Sequence, residues 1–429
     1  MNSIKTTKEE VLQFVEENDV KFIRLVFCDL FGMQKNISIM PTELEMAFQS
    51  GISFDASSIV GFSNIENSDL FLRPDPETLS LLPWRPQQGR VAKFYCSIYK
   101  PNGEIYEADT REILKKVIKN AHQMNYHCKI GAECEFYLFK TDEHGEPTKE
   151  PIDKGGYFDM APLDRGENVR REICLSLEEM GLHPETSHHE QGPGQNEIDF
   201  MFSNILSSAD DFMSFKTTVK AISAQNGLFA SFMPKPISNT SGNGMHVNVS
   251  LQKAGENIFT KNSIYKKESE SFMAGILDHI KEITLFLNPI PNSYERLGDF
   301  KAPKYISWSE QDRSQLIRIP AATDERSRME LRSPDPSLNP YLAYALILQA
   351  GLKGIEEKLT LQPSADLQIL NAENRKGKME ELPNSITQAI EEARKSEFVC
   401  QVIGEELLEK YIALKESPEI VNTKYFECL

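Results

Sequence analysis

The chain has 429 residues, 40% of them hydrophobic and 26% charged, with a formal net charge of −17. So acidic a composition excludes a protein that grips nucleic acid through its phosphates, which takes clustered lysine and arginine. No apolar run approaches eighteen residues, which excludes a membrane helix; no apolar leader opens the sequence, and its seven cysteines lack a CxxC pair, so a cytoplasmic protein with reduced thiols is expected.

The first hundred residues read as a small α+β unit. TTKEEVLQFVEEN offers an N-cap threonine with Val11, Leu12 and Val15 at helical spacing. KFIRLVFCDL and QKNISIMP alternate as a hairpin around Phe31 and Gly32, and PTELEMAFQSG is a short helix begun by proline and ended before Gly51. Strands near Leu79–Leu82 and Ala92–Tyr99 complete the unit. The turn-rich KPNGEIYEAD marks a boundary, giving domains 1–104 and 105–429. Beyond it, helical patterns cover Arg111–Met124, Asn168–Met180, Ser208–Asn226, Ser269–Leu287, Pro340–Lys358 and Ser385–Leu414, while NAENRKGKMEELP is a polar surface loop.

Four strand-like stretches carry the chemistry: GAECEF, QNEIDF, GMHVNVS and RMELRS. Side chains alternate faces along a strand. One face therefore presents Glu133, Glu135, Glu197, Asp199, His246, Asn248, Ser250, Arg328, Glu330 and Arg332. The other presents Cys134, Phe136, Ile198, Val247, Val249, Met329 and Leu331. Carboxylates that converge on one surface raise each other's pKa unless cations sit between them. A divalent-metal site facing a polyanionic substrate follows. Glu190 and Glu197 flank a Gly-Pro-Gly turn that can fold both back to one centre, and Gly242 and Gly244 let backbone approach a ligand beside His246. Arg296, Arg313, Arg318, Arg326, Arg328 and Arg332 need anions, either phosphates and carboxylates of a ligand or surplus glutamates of the chain.

In order and context these motifs resemble the bacterial type I glutamine synthetase family. The resemblance runs from FDASS through KGGYF, GAECEF, SHHE, GQNEIDF, GNGMH and NSYERL to DRSQLIRIP and RMELRSPDPSLNPYLA. It implies an α+β protein with an N-terminal β-grasp-like domain and a catalytic domain built on a curved, mainly antiparallel half-barrel sheet. It implies an ATP-dependent ligase that joins ammonia, or a small primary amine, to the γ-carboxylate of glutamate through a γ-glutamyl phosphate. Residue by residue, it places one metal on Glu135, Glu190 and Glu197 and a second on Glu133, His246 and Glu330; such donors suit Mg²⁺ or Mn²⁺. It assigns nucleotide to Glu185, Asn248, Ser250, Arg313, Arg318 and Arg328. The substrate goes to Ser241, Gly242, Arg296, Lys301 and Arg332, with Arg313 and Arg332 also facing the reacting groups. An ammonium pocket combines Tyr157 and Glu190 with Asp55 and Ser58 of a neighbouring subunit. A homo-oligomeric ring of six subunits is implied, with a second ring left open.

The chain also departs from that pattern. Lys301, in the shortened flap RLGDFKAP, stands where the family carries a glutamate, and Asp299 is the nearest replacement. Ser241 stands for an asparagine, and Ala56 for a glycine. Asn64 aligns with an arginine used in feedback inhibition, NAENRKGKMEELP lacks the tyrosine that other members modify, and ESPEIVNTKYFECL differs from the usual C-terminal tail. Three alternatives to the ammonia ligase stay open: a ligase for another amine, a nucleotide-binding regulatory paralogue with weak turnover, and a phosphotransferase of the guanidino-kinase kind.

Overall fold

A computed structural model describes residues 6–62, 68–322, 326–366, 379–417, 426 and 429. Asn64, most of NAENRKGKMEELP and nearly all of the C-terminal tail lie outside the described residues. The chain divides into two compact units, Met1–Glu112 with Ile173–His183, and Ile113–Glu172 with Pro184–Leu429.

In the first unit, helix α1 (Lys8–Glu17) starts at a reciprocal cap. The Glu10 backbone N–H donates to Thr7 Oγ1 at 3.2 Å, and the Thr7 N–H donates to the Glu10 carboxylate at 2.7 Å. Val11 and Val15 are its buried face. Strands β1 (Val20–Cys28) and β2 (Gln34–Ile39) form the expected hairpin, and Gly32 turns it with φ of 79°. Helix α2 (Leu44–Gln49) follows a short 3-10 turn begun by Pro41. Two strands escape the sequence pattern, β3 (Ile52–Asp55) and β4 (Asp69–Pro74). Four residues are too few to show alternation, and β4 ends on a proline that a strand pattern disfavours. With β5 (Ser80–Leu81) and β6 (Arg90–Tyr99) they complete a sheet in the order β2-β1-β6-β4-β3, in which β1 and β6 are parallel.

The second unit centres on one sheet. Strand β7 (Tyr126–Thr141) is its longest, joined along its length by β8 (Pro147–Pro151), β10 (Gln195–Phe200), β11 (Ser203–Asn204), β12 (Leu228–Ser231) and β13 (Met245–Lys253). Outwards lie β9 (Pro184–His189) beyond β10, β14 (Glu256–Asn257) beside β13, and β15 (Trp308–Ser309), β16 (Ile317–Arg318) and β17 (Met329–Leu331). The order is β15-β16-β17-β13-β7-β10-β9, antiparallel except between β15 and β16. Helices α3 (Thr110–Gln123) and α4 (Glu167–Glu179) match the expected spans within a residue or so. Helices α5 (Ile205–Gln225), α6 (Lys266–Leu287) and α8 (Pro340–Glu356), with the one-turn α7 (Ser293–Arg296) between the last two, supply much of the core.

Helices α6 and α8 meet through glycines. A Cβ on Gly275 would stand 2.3 Å from the Ala350 carbonyl oxygen, and one on Gly354 would stand 2.2 Å from that of Ser271. The two backbones therefore touch where any side chain would force them apart. The expected long helix over Ser385–Leu414 is three instead: Ile386–Arg394, Glu397–Ile403 and Glu405–Glu416. Ser396 breaks the first junction by accepting from the Val399 N–H, and Gly404 breaks the second at φ of 91°.

Candidate active site

Strand register assembles the site. Glu133 of β7 lies opposite His246 of β13 on one side and Asp199 of β10 on the other; Glu135 lies opposite Glu197; Glu330 of β17 lies opposite Asn248 of β13 and Arg318 of β16. Directly opposed residues share a face. Cys134, Phe136, Ile198, Val247, Val249, Met329 and Leu331, one residue out of phase, are fully buried on the other face. Alternation thus sets the carboxylates of β7, β10 and β17 on one floor with His246 of β13 and Arg318 of β16.

One group of donors is Glu133, His246 and Glu330, whose ligand atoms all lie within 4.8 Å of one another. His246 Nδ1 is 3.2 Å from Glu133 and 3.6 Å from Glu330. Asn248 donates to Glu133 at 2.9 Å, and Arg328 Nε donates to Asn248 at 2.8 Å. Arg318 donates to Glu330 at 2.9 Å, and Arg332 pairs with the other oxygen. Burial alone would raise the Glu133 carboxyl, but His246 and Asn248 outweigh it and hold it at about 2. Burial and Arg332 push the His246 imidazole down, towards the neutral form that binds metals.

The second group arrives as two trios that share Glu197: Glu135 with Glu197 and His246, and His188 with Glu190 and Glu197. Glu135 accepts from the Gly244 N–H at 2.8 Å and from Gln195 at 3.1 Å. Glu190 accepts from the Gln191 N–H at 2.6 Å. His188, absent from the expected site, places Nε2 3.0 Å from Glu197 and 3.7 Å from Glu190. Its signal was its position two residues before Glu190, on β9, whose pairing sets it directly opposite Glu197. Burial and the Glu190 charge push the Glu135 carboxyl up to about 7, against Arg296 and the Gly244 N–H. Burial and Asp199 push Glu197 well above the carboxylate range, and burial with Glu133 takes Asp199 to about 7. Glu135 and Asp199 therefore titrate at about 7, and Glu197 is shifted in the same direction. Oxygen donors so crowded, with one neutral imidazole, fit hard divalent cations, which would relieve the repulsion.

Tyr157, Ser241, Gly242, Arg296, Lys301, Arg313 and Arg332 line the same cleft. A Cβ on Gly242 would meet the Pro234 carbonyl oxygen at 2.5 Å and one on Gly244 would meet Arg296 Nη2 at 2.6 Å, so bare backbone is required at both. Arg296 is buried on α7 and donates to the carbonyls of Ser333 at 2.8 Å and Arg332 at 3.1 Å. The buried Nε–H groups of Arg318 and Arg332 have no acceptor among the described residues, leaving donors for an anionic ligand. Ser250 is buried on the site-facing side of β13, whereas Glu185 is exposed and takes Arg326 at 3.3 Å. Asp299 is held by Lys235. Asp55 and Ser58 belong to the first unit and are exposed there; Asp55 accepts from the Ser57 N–H at 2.9 Å, and its hydrogen bonds with Ser57 and Ser68 hold its carboxyl below the usual range.

Behind the carboxylates lies a buried support that motif reading passed over. His189 faces away from His188, with Nε2 3.0 Å from Asp153 and Nδ1 2.7 Å from the Glu190 carbonyl oxygen. Asp153 also accepts from the N–H groups of Gly155, Gly194 and Arg165 at 3.1, 2.8 and 2.9 Å. One carboxylate thus ties the Gly-Pro-Gly turn to the segment carrying Tyr157. Arg170 bridges Asp164 and Asn196 beside it. Although Asp153, Asp164 and His189 lie within metal-binding distance of one another, protein donors already occupy them.

Comparison with known proteins follows the same outline. Residues 19–101 match the family model of the glutamine synthetase beta-Grasp domain, and residues 107–425 that of the glutamine synthetase catalytic domain. The glutamine synthetases of Clostridium saccharobutylicum and Methanosarcina mazei are 47% and 46% identical to this chain, over 96% of it and 94% of each relative. That of Staphylococcus aureus is 42% identical over 95% and 94%. Among solved structures, a GmaS/ADP complex superposes with a TM-score of 0.85 at 29% identity, over 94% of each chain. Plasmodium falciparum glutamine synthetase gives 0.85 at 26%, over 97% and 96%.

Proposed function

This chain belongs to the glutamine synthetase family and is an ATP-dependent ligase that joins ammonia to glutamate, and from that premise we propose how its own residues divide the work. Glu135, Glu190 and Glu197 would hold one divalent cation, and Glu133, His246 and Glu330 a second, Mg²⁺ or Mn²⁺. The observation that carries this is the crowding of carboxylates across β7, β10 and β17 around His246 of β13, three of them with their pKa pushed up by burial and by neighbouring charge. When bound, such cations neutralise phosphate charge and orient the in-line transfer.

Arg313, Arg318 and Arg328 supply the positive charge that ATP phosphates still require, and Asn248, Ser250 and Glu185 line the nucleotide. Arg296 and Arg332 receive the glutamate α-carboxylate, while the Gly242 backbone and Ser241 meet its amino group. The glutamate γ-carboxylate attacks the γ-phosphorus, the bond to ADP breaks, and a γ-glutamyl phosphate forms. Ammonium is drawn to Tyr157 and Glu190 of one subunit with Asp55 and Ser58 of its neighbour. There a carboxylate takes its proton, ammonia attacks the acyl carbon, and phosphate leaves. A site shared in this way requires an oligomer, and the family resemblance makes that a ring of six subunits. No described helix is long and apolar enough to cross a membrane, and every described cysteine is a free thiol, which supports a cytoplasmic location.

Titration with Mn²⁺ should give two ions per chain, and Glu197→Gln and Glu330→Gln should each remove one. Two ions retained in both variants would overturn the ligand assignment.

A further inference from the structure

We infer that Lys301 is a built-in cation at the acceptor end of the cleft, which competes with ammonium and sets how much ammonium the enzyme requires. Its ammonium group stands over the ring of Tyr157, 5.3 Å from the centroid, and its side chain lines the same cleft as Glu133, Glu135, Glu190 and Glu197. It forms no ion pair with any described residue. Asp299, two residues before it, is taken by Lys235, a lysine almost entirely buried, so the Lys301 charge acts on the cleft instead, where it helps hold the Glu190 carboxyl below its usual value.

The turn that carries Lys301 is anchored, not loose. The Asp299 N–H donates to the Arg296 carbonyl at 3.1 Å, and the Ala302 N–H donates to the Asp299 carbonyl at 3.0 Å. Gly298 and Phe300 adopt left-handed backbone, with φ of 79° and 50°, and the Phe300 ring lies over Lys235 at 4.8 Å. Asp299 and Phe300 are thus both fastened to Lys235, and Lys301 is directed to the cleft mouth. The phenyl ring lining this cleft, Phe300, already carries Lys235, and Lys301 covers Tyr157, whose face is shaped to receive a cation. A second cation arriving there meets like charge, so ammonium binds fully only when the Lys301 side chain swings off the ring. Both side chains are exposed, so solvent screens the repulsion and its effect is moderate.

The inference rests on Tyr157 and Glu190 forming the ammonium pocket of the ligase. The test is steady-state kinetics of the full-length enzyme, varying ammonium at saturating glutamate and ATP. Lys301→Met should lower KM for ammonium about fivefold, with KM for glutamate and kcat changed less than about twofold. Lys301→Arg should keep the wild-type KM. Added sodium chloride should shrink the ratio between wild type and Lys301→Met towards one, which a purely structural role of Lys301 would not produce. An unchanged KM for ammonium in Lys301→Met overturns the inference, as does a rise in KM for glutamate or ATP, which would mean that Lys301 holds an anionic substrate. Wild-type enzyme that makes no glutamine even at saturating ammonium would fault the ligase reading itself.

Discussion

Stripping divalent cations from the enzyme should make its stability fall as pH rises from about 5 to 7.5, the reverse of what paired carboxylates normally give. A carboxyl whose folded pKa lies above its unfolded value binds its proton more tightly in the native state. Stability is then present below the unfolded pKa and is lost as pH rises through the folded one. Glu135 rises from an ordinary value of 4.5 to about 7, and Asp199 from 3.8 to about 7. At about 1.4 kcal/mol per unit, Glu135 alone corresponds to roughly 3 kcal/mol. In a unit of this size that is a fall in Tm on the order of 5 °C. Bound cations take the place of the protons, so stabilisation by Mg²⁺ or Mn²⁺ should grow across the same window. The assay is a set of thermal melts from pH 5 to 8, with EDTA or with cation, for wild type and Glu197→Gln. The wild-type slope should be negative in EDTA, and flatter in the variant. A metal-free Tm that climbs through this range, or a metal shift indifferent to pH, would refute the electrostatic reading.

Three more outcomes are expected. Glu330→Gln should destabilise even the metal-free protein by about 3 kcal/mol, because Arg318 and Arg332 lose a buried counter-ion; denaturation in EDTA measures it, and a neutral result would mean that solvent replaces the carboxylate. Asp153→Asn should raise the ammonium KM more than the ATP KM, since Asp153 ties together the turn beside Glu190 and the Tyr157 segment without touching the nucleotide side; equal changes in both would point to general loosening. Mixed oligomers of Asp55→Ala with Glu135→Ala should regain activity that neither variant has alone, and no recovery in demonstrably mixed rings would place Asp55 in its own chain's site.

The floor of the site could be read from the sequence because it obeys the shortest of periods. Glu133 and Glu135, Glu197 and Asp199, His246 and Asn248 each straddle an apolar residue, and a two-residue repeat puts such pairs on one face whatever the sheet order. The order β17-β13-β7-β10, which makes Glu133 neighbour both His246 and Asp199, is a matter of tertiary pairing and leaves no local trace. His189 was hidden for a related reason. Its role comes from a carboxylate thirty-six residues earlier, at Asp153. Asp299 looked available because its partner, Lys235, is sixty-four residues away. Helices were legible wherever amphipathic spacing ran unbroken; the breaks at Ser396 and Gly404 were set by one capping hydroxyl and one left-handed residue.

The central claim is that this cleft couples ATP cleavage to amide formation with ammonia. Its most direct test is a product balance on purified enzyme with Mg²⁺, glutamate, ATP and ammonium chloride, with phosphate, ADP and amide quantified together, and with methylamine replacing ammonium in a parallel reaction. Glutamine, ADP and phosphate should appear in equal amounts, and omission of ammonium should suppress sustained turnover. ATP cleaved without glutamine, or an amide formed only from methylamine, would contradict the account.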